Sequence, residues 1–210
     1  MTRFADRRAA GQALAEALAT YGHRSDVIVV ALPRGGVPVA AVVADALQTP
    51  LDILVVRKLG APTQPELALG AIAAGGFRVV DAGLLRTLGV SDATLAALES
   101  EARAEVARRE ARYRAGRAAR PLAGRTVILV DDGLATGATM RVAIQAVRAA
   151  QATRVVVAVP VAPPETLARL RAEADEVICL QTPAHFLGVG ASYERFPQLT
   201  DEDVLALLAD

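Results

Sequence analysis

The sequence predicts an α/β protein, a parallel sheet with helices on both faces. Three observations carry this. Short, continuous apolar runs rich in Val and Ile recur along the chain, as strands buried on both faces require. Segments with helical spacing separate most of them, the alternation of crossover-connected parallel strands. Gly-rich or charged clusters, such as PRGG and DDG, follow directly after several runs, where open parallel sheets place their ligands.

The elements follow in order. Leu14, Leu18 and Tyr21 share one face of a helix predicted over 3–21, which Gly22 stops. Residues 27–32 form the first core strand, too short and too β-branched for a buried helix. Pro33-Arg34-Gly35-Gly36 breaks it, and an Ala/Val-rich helix spans 37–47. Residues 53–56 read as the second core strand, with Arg57 and Lys58 at its end and a loop over 59–66. Residues 67–74 and 77–80, joined at Gly75-Gly76, read as a β-hairpin. Ser91 caps a long helix to about Gly116, with Leu95, Leu98, Ala102 and Val106 on one face. The remaining core strands cover 126–130, 155–159 and 177–180, with helices over 138–150 and 164–171 and a last helical turn or two over 201–208.

Composition removes several classes. With 53% hydrophobic and 22% charged residues, the 210-residue chain has the apolar content of a globular domain, not of a disordered one. Mean hydropathy is positive, yet no apolar run approaches the roughly 20 residues that span a bilayer, so no membrane partner is expected. MTRFADRRAAGQ has no apolar signal core, which predicts a cytoplasmic protein. One cysteine, Cys179, precludes an internal disulfide, and two histidines argue against a multi-histidine metal site. Net charge is zero, which gives no argument for a nucleic-acid partner. Of 23 basic residues, Lys58 is the only lysine. The basic run Arg108, Arg109, Arg112, Arg114, Arg117 and Arg120 complements the dipole of its helix C-terminus, with Asp92, Glu99, Glu101 and Glu105 earlier in the helix.

The densest chemistry lies in VILVDDGLATGAT, residues 127–139. An apolar strand ends in Asp131-Asp132, and a Thr-Gly turn opens a helix. Backbone N–H groups at such a turn favour an anion, and the Thr hydroxyls add donors. The carboxylates suit hydroxyls or a hydrated divalent cation instead. A sugar phosphate satisfies both preferences. Paired glycines after Arg34 let backbone N–H groups approach a second anion, and Arg34 offers a bidentate phosphate grip.

VILVDDGLATGAT resembles the phosphoribosyl-pyrophosphate (PRPP) signature of the type I phosphoribosyltransferases, and similarity to that superfamily covers about 27–160. The whole layout resembles a group of uncharacterised bacterial phosphoribosyltransferase-domain proteins. The resemblance implies one domain over 1–210, with a core at about 25–180, a β-hairpin and flexible-loop insertion, and a small hood from terminal segments, candidate 181–200. It implies that Asp131 and Asp132 contact the ribose hydroxyls, that Ala135, Thr136, Gly137, Ala138 and Thr139 hold the 5-phosphate, and that Arg34, Gly35, Gly36, Arg57 and Lys58 bind pyrophosphate. Asp131, Asp132 and Lys58 are the catalytic candidates. Mg²⁺ is the implied cofactor, held through substrate and water, with Asp131 and Asp132 as the nearest carboxylates. The partners are then PRPP and an unidentified nitrogenous acceptor, and a homodimer is compatible with the resemblance. A PRPP-binding sensor without transferase activity is the alternative.

One departure bears on the acceptor. Hypoxanthine-guanine enzymes carry an Asp before Thr-Gly, where this chain has Ala135, which counts against 6-oxopurine transfer. Phe186, Tyr193 and Phe196 fit either base stacking or fastening of a C-terminal tail, and His185 fits either a proton shuttle or a structural histidine. A receiver-type phosphorylation domain needs a Lys after its carboxylates, whereas Lys58 precedes Asp131. A P-loop nucleotidase needs GxxxxGK[ST], which is absent.

Overall fold

The computed structural model describes residues 3–209. Five parallel strands form the central sheet: β1 (Val27–Ala31), β2 (Leu51–Ile53), β6 (Thr126–Val130), β7 (Arg154–Val161) and β8 (Glu176–Gln181), in the order β2-β1-β6-β7-β8. β1 and β6 are buried along their whole length, which is why they read as unbroken apolar runs. Val27, Val29 and Ala31 face a cluster with α1 (Arg7–Ala17) and α2 (Gly36–Leu47). Ile28 and Val30 face the opposite cluster with α5 (Ala138–Ala149) and α6 (Pro164–Leu170). Helices on both faces are thus a direct result of the pleat.

From β1 the chain crosses outward to β2, and from β6 it crosses the other way through β7 to β8. The strand order therefore reverses between β1 and β6, where an open α/β sheet leaves a crevice beyond its carboxyl ends. Ala31 pairs with Val130 at that edge. The Arg34 loop and the Asp131 loop leave the sheet side by side there.

A second, antiparallel sheet, β3-β4-β5, contains β3 (Val56–Ala61), β4 (Gln64–Ala73) and β5 (Phe77–Val80). The predicted hairpin is its β4–β5 half, with Ala73 opposite Phe77. Two expectations are corrected here. The second core strand ends at Ile53, so Arg57 and Lys58 lie within β3 and not at a core strand end. Leu54 N still donates to Ala31 O, but Val55 O already accepts from Ala74 N, so the chain changes sheets between these two residues. All of 53–56 is apolar, and periodicity cannot locate a sheet change inside such a run. The loop expected over 59–66 is mostly strand, since β3 runs to Ala61 and β4 starts at Gln64. Apolar Leu59 and Ala61 are both buried and give that ladder a face to pack.

The small sheet is packed between two helices. Leu59 and Ile72 join the cluster that holds Leu95, Ala102 and Val106 of α4 (Asp92–Arg114). Ala71 and Ala73 join Met140 and Ile144 of α5. Ser91 caps α4 by accepting from Thr94 N, as expected. A short helix α3 (Ala82–Thr87), capped by Asp81, was not anticipated. The first helix starts later than expected: Asp6 accepts from Ala9 N as N-cap, and Phe4 instead bridges to Tyr193. The last helix, α7 (Asp201–Ala209), packs against α2 and α4.

Candidate functional site

The two loops at the reversal point are in close contact. A Cβ built on Gly36 would stand 2.6 Å from Val130 O, and one on Gly35 would stand 2.2 Å from Oδ2 of Asp132. Side chains cannot occupy these positions without moving the acidic loop, which is the physical reason for the paired glycines. The Pro33–Arg34 peptide is cis. Arg34 is exposed, and its guanidinium lies 4.0 Å from Asp201 at the start of α7.

Asp131 and Asp132 sit at the end of β6. Asp131 Oδ1 accepts from Asp132 N at 2.9 Å, which fixes the first carboxylate over its own turn. Asp132 is buried, and Oδ2 accepts from Nε of Arg7 at 2.8 Å. Burial, joined by the like charge of Asp132, pushes Asp131 well above the usual carboxylate range. Burial also raises Asp132, against the opposing pull of Arg7.

The phosphate-type turn continues into α5. Gly137 adopts a left-handed conformation (φ 73°) as its N-cap. A Cβ there would stand 2.7 Å from Cγ2 of Thr166, so space and backbone both require glycine. Thr166, at the start of α6, donates from Oγ1 to Ala135 O at 2.6 Å and braces the turn from behind. Ala135 and Thr136 are exposed, and Thr136 Oγ1 accepts from Ala138 N at 3.4 Å at the start of α5. The two carboxylates and the N-terminal end of α5 therefore stand within one short loop.

Lys58, Arg57 and Thr139 line a common cleft of ≈ 500 Å³ with Leu98 and Arg109 of α4. The tertiary structure thus brings Lys58 to the helix that follows the acidic loop, although its position is mid-strand.

The terminal segments meet behind the acidic pair. Tyr193 is buried and donates from its hydroxyl to Asp132 O at 2.5 Å. Its ring lies 5.7 Å from Phe4 and 4.9 Å from Phe196. Arg7 stacks on Phe196 at 3.8 Å and donates to Pro197 O at 2.8 Å. Tyr193 therefore fastens the C-terminal segment to the acidic loop, one of the two roles its sequence context allowed. His185 is exposed. Cys179 is partly buried on β8, donates to Gln181 O at 3.2 Å, and has its thiol pushed up by burial, none of which suits a nucleophile.

Sequence reasoning missed Arg7, Thr166 and Arg109. No local pattern announces these placements, because Arg7 and Thr166 each brace a loop distant in sequence and Arg109 meets β3 only across a cleft.

Comparison with known proteins agrees with this geometry. The family described as phosphoribosyl transferase domain matches residues 4–194. Two proteins of Mycobacterium tuberculosis, from strains CDC 1551 / Oshkosh and H37Rv, are each named "putative phosphoribosyl transferase". They are 50% identical to this chain over 208 residues, covering 99% of it and 47% of their own length. The chain spans about half the length of these curated relatives. The crystal structure of TT1426 from Thermus thermophilus is 48% identical, with a TM-score of 0.86, covering 99% of this chain and 98% of that one. AQ2163 from Aquifex aeolicus, at 13% identity and a TM-score of 0.51 over 83% of this chain and 73% of its own, shares the fold alone. With the match extending over nearly the whole chain and the acidic loop, glycine loop and helix-opening turn meeting at one crevice, the chain belongs to the phosphoribosyl transferase domain family.

Proposed function

We propose that the protein is a Mg²⁺-dependent phosphoribosyltransferase that moves the 5-phosphoribosyl group of PRPP to a nitrogenous acceptor and releases pyrophosphate. The observation that carries this is the contact of the Gly35-Gly36 loop with Asp132, next to a Thr-Gly turn that opens α5. Ala135, Thr136, Gly137, Ala138 and Thr139 hold the 5-phosphate, where helix N–H groups and Thr hydroxyls converge. Asp131 and Asp132 accept from the ribose hydroxyls. Arg34, Gly35, Gly36, Arg57 and Lys58 take the pyrophosphate.

In the reaction the C1–O bond to pyrophosphate breaks and its electron pair leaves with the pyrophosphate. A C1–N bond forms to the acceptor, and the acceptor's displaced proton passes to solvent. The site works by positioning the ribose and stabilising the leaving group. No covalent intermediate is required.

Mg²⁺ fits the residues present. Asp131 and Asp132 bring two adjacent carboxyl groups together at the end of β6, while no cluster of three or more ligating side chains exists among the described residues. A hydrated ion carried in by substrate oxygens suits that donor set. When bound, the ion neutralises charge on the departing pyrophosphate.

Binding without transfer is the second reading, and Ala135, which offers no polar group to a base, favours it. Calorimetric titration of PRPP with Mg²⁺, followed by a pyrophosphate-release assay over a panel of bases, tests both. Saturable binding that D131N/D132N loses supports the site. Release with one of the bases supports transfer, and binding without release supports the sensor. Wild-type-like binding by the double variant overturns the site assignment.

A further inference from the structure

The sequence reads the arginines near the end of α4 as complementing the helix dipole, and the structure places one of them, Arg109, against a cleft. Arg108 pairs with Glu105, Arg112 with Asp201 and Glu202, and Arg114 with Asp52 and Glu110. Arg117 donates to Leu208 O and Arg114 O. Arg109 lines the cleft that holds Arg57, Lys58 and Thr139. Leu98 lines it too, and lies about three helical turns before Arg109, so both project from one stripe of α4.

The local chemistry of Arg109 suits a ligand. Its Nε donates to Oε1 of Glu105 at 2.5 Å, which anchors the guanidinium from its own helix. Its two terminal amino groups have no hydrogen-bond partner among the described residues. Arg57 and Lys58 form no ion pair with any described residue, whereas Arg109 is paired with Glu105 through Nε alone. No carboxylate among the described residues lines the cleft. Arg57, Lys58 and the Glu105-paired Arg109 therefore border one space from two elements, beside Thr139, with no carboxylate on its described walls. A planar guanidinium held by Nε and free at its outer edge grips a phosphate bidentately.

We propose that Arg109 is a third cationic contact for the pyrophosphate group, completing with Arg57 and Lys58 a site that spans the small sheet and α4. This deepens the PRPP reading and rests on it for the identity of the ligand. It gives α4 a direct part in holding the leaving group.

The test is calorimetric titration of inorganic pyrophosphate, ribose 5-phosphate and PRPP, each with Mg²⁺, into wild type, R109Q, R109K and R108Q, with thermal melting to verify the fold. R108Q is the control, because Arg108 shares Glu105 but lies outside the cleft. R109Q is expected to weaken pyrophosphate and PRPP about tenfold and leave ribose 5-phosphate within about twofold, with R109K intermediate and R108Q like wild type. R109K keeps the charge and stands in for R109Q if the latter fails to fold; unchanged pyrophosphate binding by every folded Arg109 variant overturns the assignment. Equal weakening of all three ligands also overturns it, since that marks a diffuse field and not a contact. A wild type that binds PRPP with no dependence on Arg109 removes this inference alone. A wild type that binds pyrophosphate through Arg109 but never PRPP keeps the anion site and removes the PRPP reading. No pyrophosphate binding by the wild type overturns the inference outright.

Discussion

Arg7, in the first turn of α1, donates to the carboxylate of Asp132, 125 residues further along the chain, at 2.8 Å. Both side chains are nearly buried, at 10% and 12% exposure. The pair ties the N-terminal helix to the acidic loop, and Phe196 and Pro197 close over the arginine from the C-terminal side. Removing one member of a buried pair leaves the other charge unpaired. R7M is therefore expected to destabilise the fold by about 3 kcal/mol. Urea melts measure this. D132N should cost less alone and should blunt the effect of R7M in the double variant, because the two act on one interaction.

The glycine loop is sterically committed. G36A places a methyl group 2.6 Å from Val130 O, and backbone cannot yield as a flexible side chain does. The expected cost is about 1–3 kcal/mol, with loss of pyrophosphate binding. Retained stability and retained affinity together would contradict the tight apposition of the two loops.

Thr166 acts on the phosphate turn from outside it. T166V removes the 2.6 Å hydrogen bond to Ala135 O and leaves that carbonyl short of a donor. A loss of about 1 kcal/mol is expected. On the proposed PRPP reading, steady-state kinetics should show a raised KM for PRPP with a smaller change in kcat, since the turn would hold the 5-phosphate far from C1. T166S, which keeps the hydroxyl, should restore KM.

Glu105 gives a pH signature. The hydrogen bond from Arg108, helped by Arg109, lowers its pKa from 4.5 to about 2 against the opposing effect of burial. A depressed folded-state pKa means that ionised Glu105 adds stability in full above pH 4.5, and that this stability is lost as pH falls through about 2. E105Q should therefore flatten the acid limb of stability between these values. Chemical melts at stepped pH measure the slope, and an identical slope in wild type and variant would refute the pairing.

Much of this was legible in sequence because it is local. β1 and β6 declared themselves as apolar runs, since strands buried on both faces have no polar positions. VILVDDGLATGAT was legible because strand, acidic pair, turn and helix start follow one another within thirteen residues of chain. Ser91 was legible because a cap acts three residues away. β3 was misplaced because Val56, Arg57 and Lys58 continue an apolar strand without punctuation, and only packing decides which sheet receives them.

By itself the sequence determined the α/β alternation, the acidic pair at a strand end, the Thr-Gly turn that opens a helix and the glycine loop, because each is a short-range consequence of residue type and spacing. Only the tertiary structure decided that Arg7 pairs with Asp132, that Tyr193 anchors on the carbonyl of Asp132, and that Arg109 shares a cleft with Lys58. These join segments tens to more than a hundred residues apart. Their proximity depends on which strands become neighbours and which helix faces pack inward, and no local pattern in one sequence encodes that.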